Sequence, residues 1–159
     1  MSIIFETKNF LVTSPSKPHI DRKDGGHIII TPKKPVANRQ ELTPKQAIEL
    51  MRLTIIAGEA MYDVMNEHGV DIGRINYQDN GNWSVFSPQG PKLHVHLYGR
   101  AKNAKVQKYG QACFFPHINE KPEFYESFEP LKKEDILAIN KRIKELLKQD
   151  KFKDNYWAL

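Results

Sequence analysis

The stretch PKLHVHLYGRA, residues 91–101, sets two histidines one residue apart in a short apolar run. Side chains alternate across a strand, so His94, His96 and Tyr98 share one face while Val95 and Leu97 share the other. Three rings able to hydrogen-bond thus stand on one face, with an apolar back behind them. A strand is rigid and holds such rings in fixed relation, as catalysis requires. The histidine pair alone allows three readings: a solvent face, half of a metal site, or part of a catalytic site. His-x-His on a strand can give a metal two ligands. The neighbouring sequence offers no third, so neither a metal nor any other cofactor is expected.

Around this strand the chain reads as one domain over residues 1–159. DNGN (79–82) is the strongest turn signal and SPQGP (87–91) breaks the next run, so residues 71–101 read as strand, turn, strand, loop, strand. LTPKQAIELMRLTIIAGEAMYDVMNEHG (42–69) is the clearest helix. Thr43 can cap it, Pro44 suits its first position, and Gln46 completes a capping box. Leu50, Leu53, Ile56, Ala57, Ala60, Met61 and Val64 recur at three- and four-residue steps, and Gly69 is a natural terminator. HIIITP (27–32) reads as a buried strand and IIFETKNFLVTS (3–14) as the first strands. PSKPHIDRKDGG (15–26) is loop. Residues 102–131 are irregular, and a second amphipathic helix follows over 132–149. Segregated strands and helices predict an α+β fold: a mainly antiparallel sheet, one long helix and a C-terminal helix.

Composition narrows the function classes. The chain has 159 residues, 40% hydrophobic and 27% charged, with a formal charge of +5. No run approaches the roughly 18 to 20 apolar residues of a membrane span. The N-terminus is too soon acidic, at Glu6, for a signal peptide. A lone Cys113 excludes an internal disulfide and a cysteine-based zinc cluster, and fits a cytoplasmic setting. The lysines lie largely on the C-terminal helix as a solvated face. No stripe of arginines and aromatics marks a nucleic-acid surface. A positive chain can favour an anionic ligand such as a phosphate ester.

KLHVHLYGRA resembles the signature strand of the histidine triad family, in which histidines alternate with hydrophobic residues. IIFETKNFLVT resembles that family's opening hairpin, and GGHIIITPKKPVANRQELTP the segment leading into its long helix. INYQDNG resembles the strand end before the signature loop. These segments fall in the family's order across residues 3–101. The departures are equally plain: Tyr98 stands at the third triad position, and Pro91 stands where a hydroxyl residue is usual.

The resemblance implies binding of a nucleoside phosphate and cleavage of its bond to a leaving group. His96, the middle position, is implied to be the nucleophile, giving a nucleotidyl-histidine that water hydrolyses. His94 is implied to orient it, and His27 matches a fourth histidine close to the triad. Gln78 or Asn80 matches an amide that contacts ribose or phosphate. Gln89 and Gly90 can offer an amide and a backbone N–H to phosphate, and Asp21 is the candidate ribose ligand. Tyr98 can reach a phosphate oxygen or simply stack. Tyrosine, with a pKa near 10, is a poor proton shuttle at neutral pH, so polyphosphate leaving groups are expected over amines. The alternative is a nucleotide-binding module with little turnover. The resemblance also implies a homodimer, and Met51, Leu53, Ile55 and Ile56 place apolar residues around most of the long helix.

Overall fold

The computed structural model describes residues 1–79 and 81–159. Five strands make one sheet: β1 (Ser2–Glu6), β2 (Phe10–Ser14), β3 (His27–Pro32), β4 (Ile72–Gln78) and β5 (Val95–Ala101). Their order is β1-β2-β3-β5-β4, and every pair is antiparallel. The helices are α1 (Pro44–Glu67), α2 (Lys133–Leu146) and α3 (Asp154–Trp157). This is the α+β arrangement that the sequence predicts. Among the described residues, no helix is long and apolar enough to cross a membrane.

The period-two pattern decides which face is core. Val12, Ile28, Ile30, Val95 and Leu97 are buried and pack with one stripe of α1: Leu53, Ile56, Ala57, Ala60, Met61 and Val64. Ile139 and Ile143 of α2 complete this layer. α1 starts with the capping box read from Thr43 and Gln46 and with Pro44 in its first turn. Gly58 admits the ring of Tyr77, whose hydroxyl lies where a Cβ would stand. The other sheet face carries His27, His96 and Tyr98; the register pairs His27 with Tyr98 and Ile29 with His96.

The strand expected between DNGN and SPQGP does not form. Residues Asn82–Ser84 make a 3-10 turn, and Phe86 is fully exposed. The N–H groups of Ser84, Ser87 and Gly90 donate to carbonyls three residues back, and the Ser84 hydroxyl donates to the Gly81 carbonyl. Serines satisfied locally compete with a ladder, and here they win. The second helix is shorter than the 132–149 expected from the sequence: α2 ends at Leu146, and a 3-10 turn follows at Asp150–Phe152.

Residues 15–26 and 102–131 lack periodicity, yet polar side chains fix them. The Arg22 guanidinium donates twice to Asp135, at 2.6 and 2.8 Å, tying the first loop to α2. The Asp24 carboxylate accepts the N–H groups of Lys105, Val106 and Gln107 at 2.8 to 3.0 Å. Arg100 donates to the carbonyls of Lys108 and Gln111, and Gln107 pairs with both the N–H and C=O of Phe114. The second loop therefore lies over the histidine face. Gly25 meets β5 so closely that a Cβ would run into the Gly99 carbonyl, and its φ of 135° excludes most side chains as well. The C-terminus folds back on α1: Arg52 pairs with Asp154 at 2.6 Å, and the Trp157 indole donates to the Lys151 carbonyl.

Candidate active site

The histidine face of β5 opens into a cavity of about 440 Å³ lined by His19, Trp83, His94, His96, Tyr98, Cys113 and Phe115, with Gly81 and Ser84. Its size falls in the roughly 300–1,000 Å³ range of small-molecule sites. A second cavity, of about 420 Å³, lies between the β1–β2 hairpin, α1 and the C-terminus. It contains no imidazole or thiol, so the chemistry belongs to the first.

Of the residues picked out in the sequence, His94, His96 and Tyr98 line the cavity, and His27 sits directly behind them. Gln78 faces His96 across the β4–β5 pair and therefore shares its face. Gln89 and Gly90 occupy the turn after Ser87 and do not line the cavity; Gly81 and Ser84 do. Asp21 is not in the site. Its carboxylate accepts the N–H groups of Lys23 and Glu129, each at 2.7 Å, and so holds the loop together. Asn80 lies outside the described residues. Lys92 does not line the cavity, and its carbonyl accepts from His94 Nδ1 at 2.7 Å.

The sequence does not mark His19, Trp83, Cys113 or Phe115 as site residues, yet all four line the cavity. His19 is the most consequential. Its Nδ1 lies 2.9 Å from the Tyr98 hydroxyl, and its ring is 4.9 Å from His27 and 5.3 Å from His96. Buried Pro18 and Ile20 flank it and fix the loop. The one signal available was its type: a histidine in a loop closed by GG immediately before the histidine of β3.

Tyr98 is only 1% exposed and stacks on His96, with ring centroids 5.3 Å apart and planes 9° apart. Burial first, then Cys113 and Tyr125, raises its pKa, so the hydroxyl stays protonated at all ordinary pH. That hydroxyl is engaged by His19, which makes Tyr98 a link in a chain of rings.

The hydrogen bonds assign protons within this chain. The backbone N–H of His19 donates to His27 Nδ1 at 3.1 Å. Burial, and then the neighbouring imidazoles of His96, His19 and His94, hold the His27 pKa well below its usual 6.5, so the ring is neutral. With Nδ1 accepting, its proton is on Nε2, which donates to His96 Nδ1 at 2.9 Å. Burial, with His94 and His19, lowers the His96 pKa to about 3. A neutral His96 whose Nδ1 accepts carries its own proton on Nε2. His94 is the reverse: Nδ1–H donates to Lys92, leaving the Nε2 lone pair free when the ring is neutral.

His19, His27 and His96 also bring three ring nitrogens within 4.8 Å of one another, a possible metal triad that the sequence did not reveal. Neutral imidazoles are the ligand form. Coordination through His27 Nε2, however, needs the ring proton on Nδ1, directly against the His19 N–H. The hydrogen-bond chain thus opposes a metal there. Activity is expected to survive dialysis against a chelator; activity lost to the chelator and restored by stoichiometric zinc would contradict this.

No protein-family model matches the chain, and no curated protein matches its sequence. Solved structures do. A histidine triad protein from Sinorhizobium meliloti superposes with a TM-score of 0.61 at 18% identity, covering 91% of this chain and 87% of that one. A hypothetical histidine triad nucleotide-binding protein from Sulfolobus tokodaii gives 0.59 at 17%, covering 93% and 87%. A zinc-bound histidine triad family protein from Mycobacterium smegmatis gives 0.58 at 17%, covering 91% and 84%. At such identities the likeness is one of chain path, and by that path, with the His-x-His strand at its centre, this protein has the fold of the histidine triad family.

Proposed function

We propose that this protein binds nucleoside phosphates in the β5 cavity and cleaves them, with dinucleoside polyphosphates as the preferred substrates and His96 as the nucleophile. One observation carries the reading: two imidazoles, His94 just before β5 and His96 on it, converge with a third, His19, on a cavity of nucleotide size. The nucleotide-binding description of the Sulfolobus tokodaii protein supports the ligand class. Attack by a His96 nitrogen on the α-phosphorus expels the rest of the substrate, and water then releases the nucleotide from His96. Burial, with His94 and His19, lowers the His96 pKa to about 3, so the ring is neutral at neutral pH.

The second reading, a binding module with little turnover, is favoured by the proton chain. In the resting arrangement His96 Nε2 is a donor, suited to holding a phosphate oxygen. Attack through Nε2 requires the His27–His96 bond to reverse, which sets the His27 Nδ1–H against the His19 N–H. Leaving a buried donor unsatisfied costs about 1–3 kcal/mol, or roughly 5- to 150-fold in rate. Enzymes commonly accelerate reactions by a million-fold or more, so this term slows turnover without abolishing it. A slow hydrolase fits best. The test is steady-state hydrolysis of diadenosine polyphosphates beside direct binding of a non-hydrolysable analogue. Measurable turnover supports the hydrolase; tight binding with no turnover supports the module.

A twofold dimer belongs to the same reading. Met51, Ile55 and Tyr62 of α1 are exposed, with Tyr77 beside them on the edge strand β4. Light scattering on the eluting protein should give about twice the 18.4 kDa of one chain. A clean monomer at micromolar concentration would remove the dimer.

A further inference from the structure

We propose that His19 is the proton donor to the leaving group in this site, acting with Tyr98 in place of a third histidine on β5. The assignment rests on the hydrolase reading above and adds a catalytic residue to it. The geometry is specific. Tyr98 extends from β5 beside His96, and its hydroxyl meets His19 Nδ1 at 2.9 Å. That contact leaves Nε2 as the free nitrogen of a ring that lines the same cavity as His96. Loop 15–26 thereby brings an imidazole, from a different part of the chain, next to the site where a strand histidine is missing.

The environment sets when this ring carries a proton. The titratable groups around it are His27 on β3, His94, His96 and Tyr98 on or beside β5, and Cys113 and Tyr125 in the covering loop. Among the described residues, no carboxylate lines the cavity. Burial, then His94, lowers the His19 pKa to about 4, so in the empty site this ring is neutral at neutral pH. A phosphate anion entering the cavity is the opposite charge that favours the imidazolium, so substrate and proton arrive together.

The step balances. As the His96 N–P bond forms and the bond from phosphorus to the leaving atom breaks, His19 Nε2 gives its proton to that atom. Neutral His19 keeps its other proton on Nδ1, held by the Tyr98 oxygen. In the second step water attacks phosphorus, the N–P bond breaks, and the water's proton goes to His19 Nε2. Nucleoside monophosphate leaves and both rings are restored.

The test compares two substrates of the intact chain: a nucleoside 5′-phosphoramidate, whose amine needs a proton to leave, and a nucleoside 5′-(4-nitrophenyl phosphate), whose phenolate does not. His19→Gln should shift the ratio of their kcat/KM values against the amine substrate by about 100-fold or more, the lower end of the usual range for loss of a general acid. Tyr98→Phe, which keeps the ring stack, should shift it in the same direction by less. In the wild type, amine cleavage above the spontaneous rate should rise as pH falls from 7.5 toward 5, and this rise should vanish in His19→Gln. Parallel losses on both substrates in both variants, or no loss on the amine, would overturn the assignment and leave the hydrolase reading intact. Wild-type protein that cleaves neither substrate, and no diadenosine polyphosphate either, would overturn both.

Discussion

His96→Ala is expected to lower kcat/KM on diadenosine polyphosphates by at least about 10⁴-fold, on the order of 5.5 kcal/mol, while nucleotide affinity stays within a few-fold. The imbalance follows from the site's construction. The cavity lining is spread over Trp83, Phe115, His19 and His94, whereas the proposed covalent step needs one particular nitrogen. The other side chains are poor substitutes. Burial raises the Cys113 thiol despite Arg100 beside it, and Tyr98 stays protonated. His27 is almost wholly buried behind His96. His94, the histidine next to His96 in the run, leaves its Nε2 without a hydrogen-bond partner at the cavity. A variant that keeps wild-type turnover would therefore move the nucleophile to His94.

The second large effect is on stability. Asp135 is completely buried and accepts from Arg22 twice, from His68 at 2.6 Å and from the Lys132 N–H at 2.8 Å. Asp135→Ala strands the nearly buried Arg22 guanidinium, a change worth about 3–5 kcal/mol. Domains of this kind hold only about 5–15 kcal/mol in all. Denaturant unfolding should show the loss as a lower midpoint at unchanged slope; a loss under about 1 kcal/mol would mean that Arg22 finds another partner. The pH dependence has a definite sign. Burial alone would raise this carboxyl, but the bonds from Arg22, His68 and Lys132 outweigh it and hold it below its ordinary 3.8. Its contribution is present above that value and is lost as pH falls below it. The imidazoles act earlier. His19, His27 and His96 resist protonation in the fold but accept it near 6.5 when unfolded, so stability declines as pH drops below roughly 6.5.

The same bonds explain what the sequence could and could not disclose. Alternation in LHVHLY, the caps at Thr43 and Gly69 and the apolar stripe of α1 are local signals, and they carried the fold and the placement of His94, His96 and Tyr98. His19 was invisible because its position depends on Arg22 reaching Asp135, 113 residues away, and on glycines packed against β5. Residues 102–131 carry no period. They are ordered by single side chains, Asp24, Arg100 and Gln107, that gather backbone groups across the loop. Asp21 had the right chemistry for a ribose ligand, but two backbone N–H groups already occupy it. WSVF had strand-like composition, but backbone bonds from Ser84 to Gly81 and from Ser87 to Ser84 close it into successive tight turns.

Trapping the covalent intermediate tests the central claim most directly. The protein is mixed with excess diadenosine polyphosphate and quenched at alkaline pH, because the P–N bond is acid-labile. After digestion, peptide mass spectrometry locates the nucleotidyl group. One adenylyl group on His96, absent from His96→Ala, is the expected result. An adduct on His94, or steady turnover with no adduct on any histidine, would contradict the account.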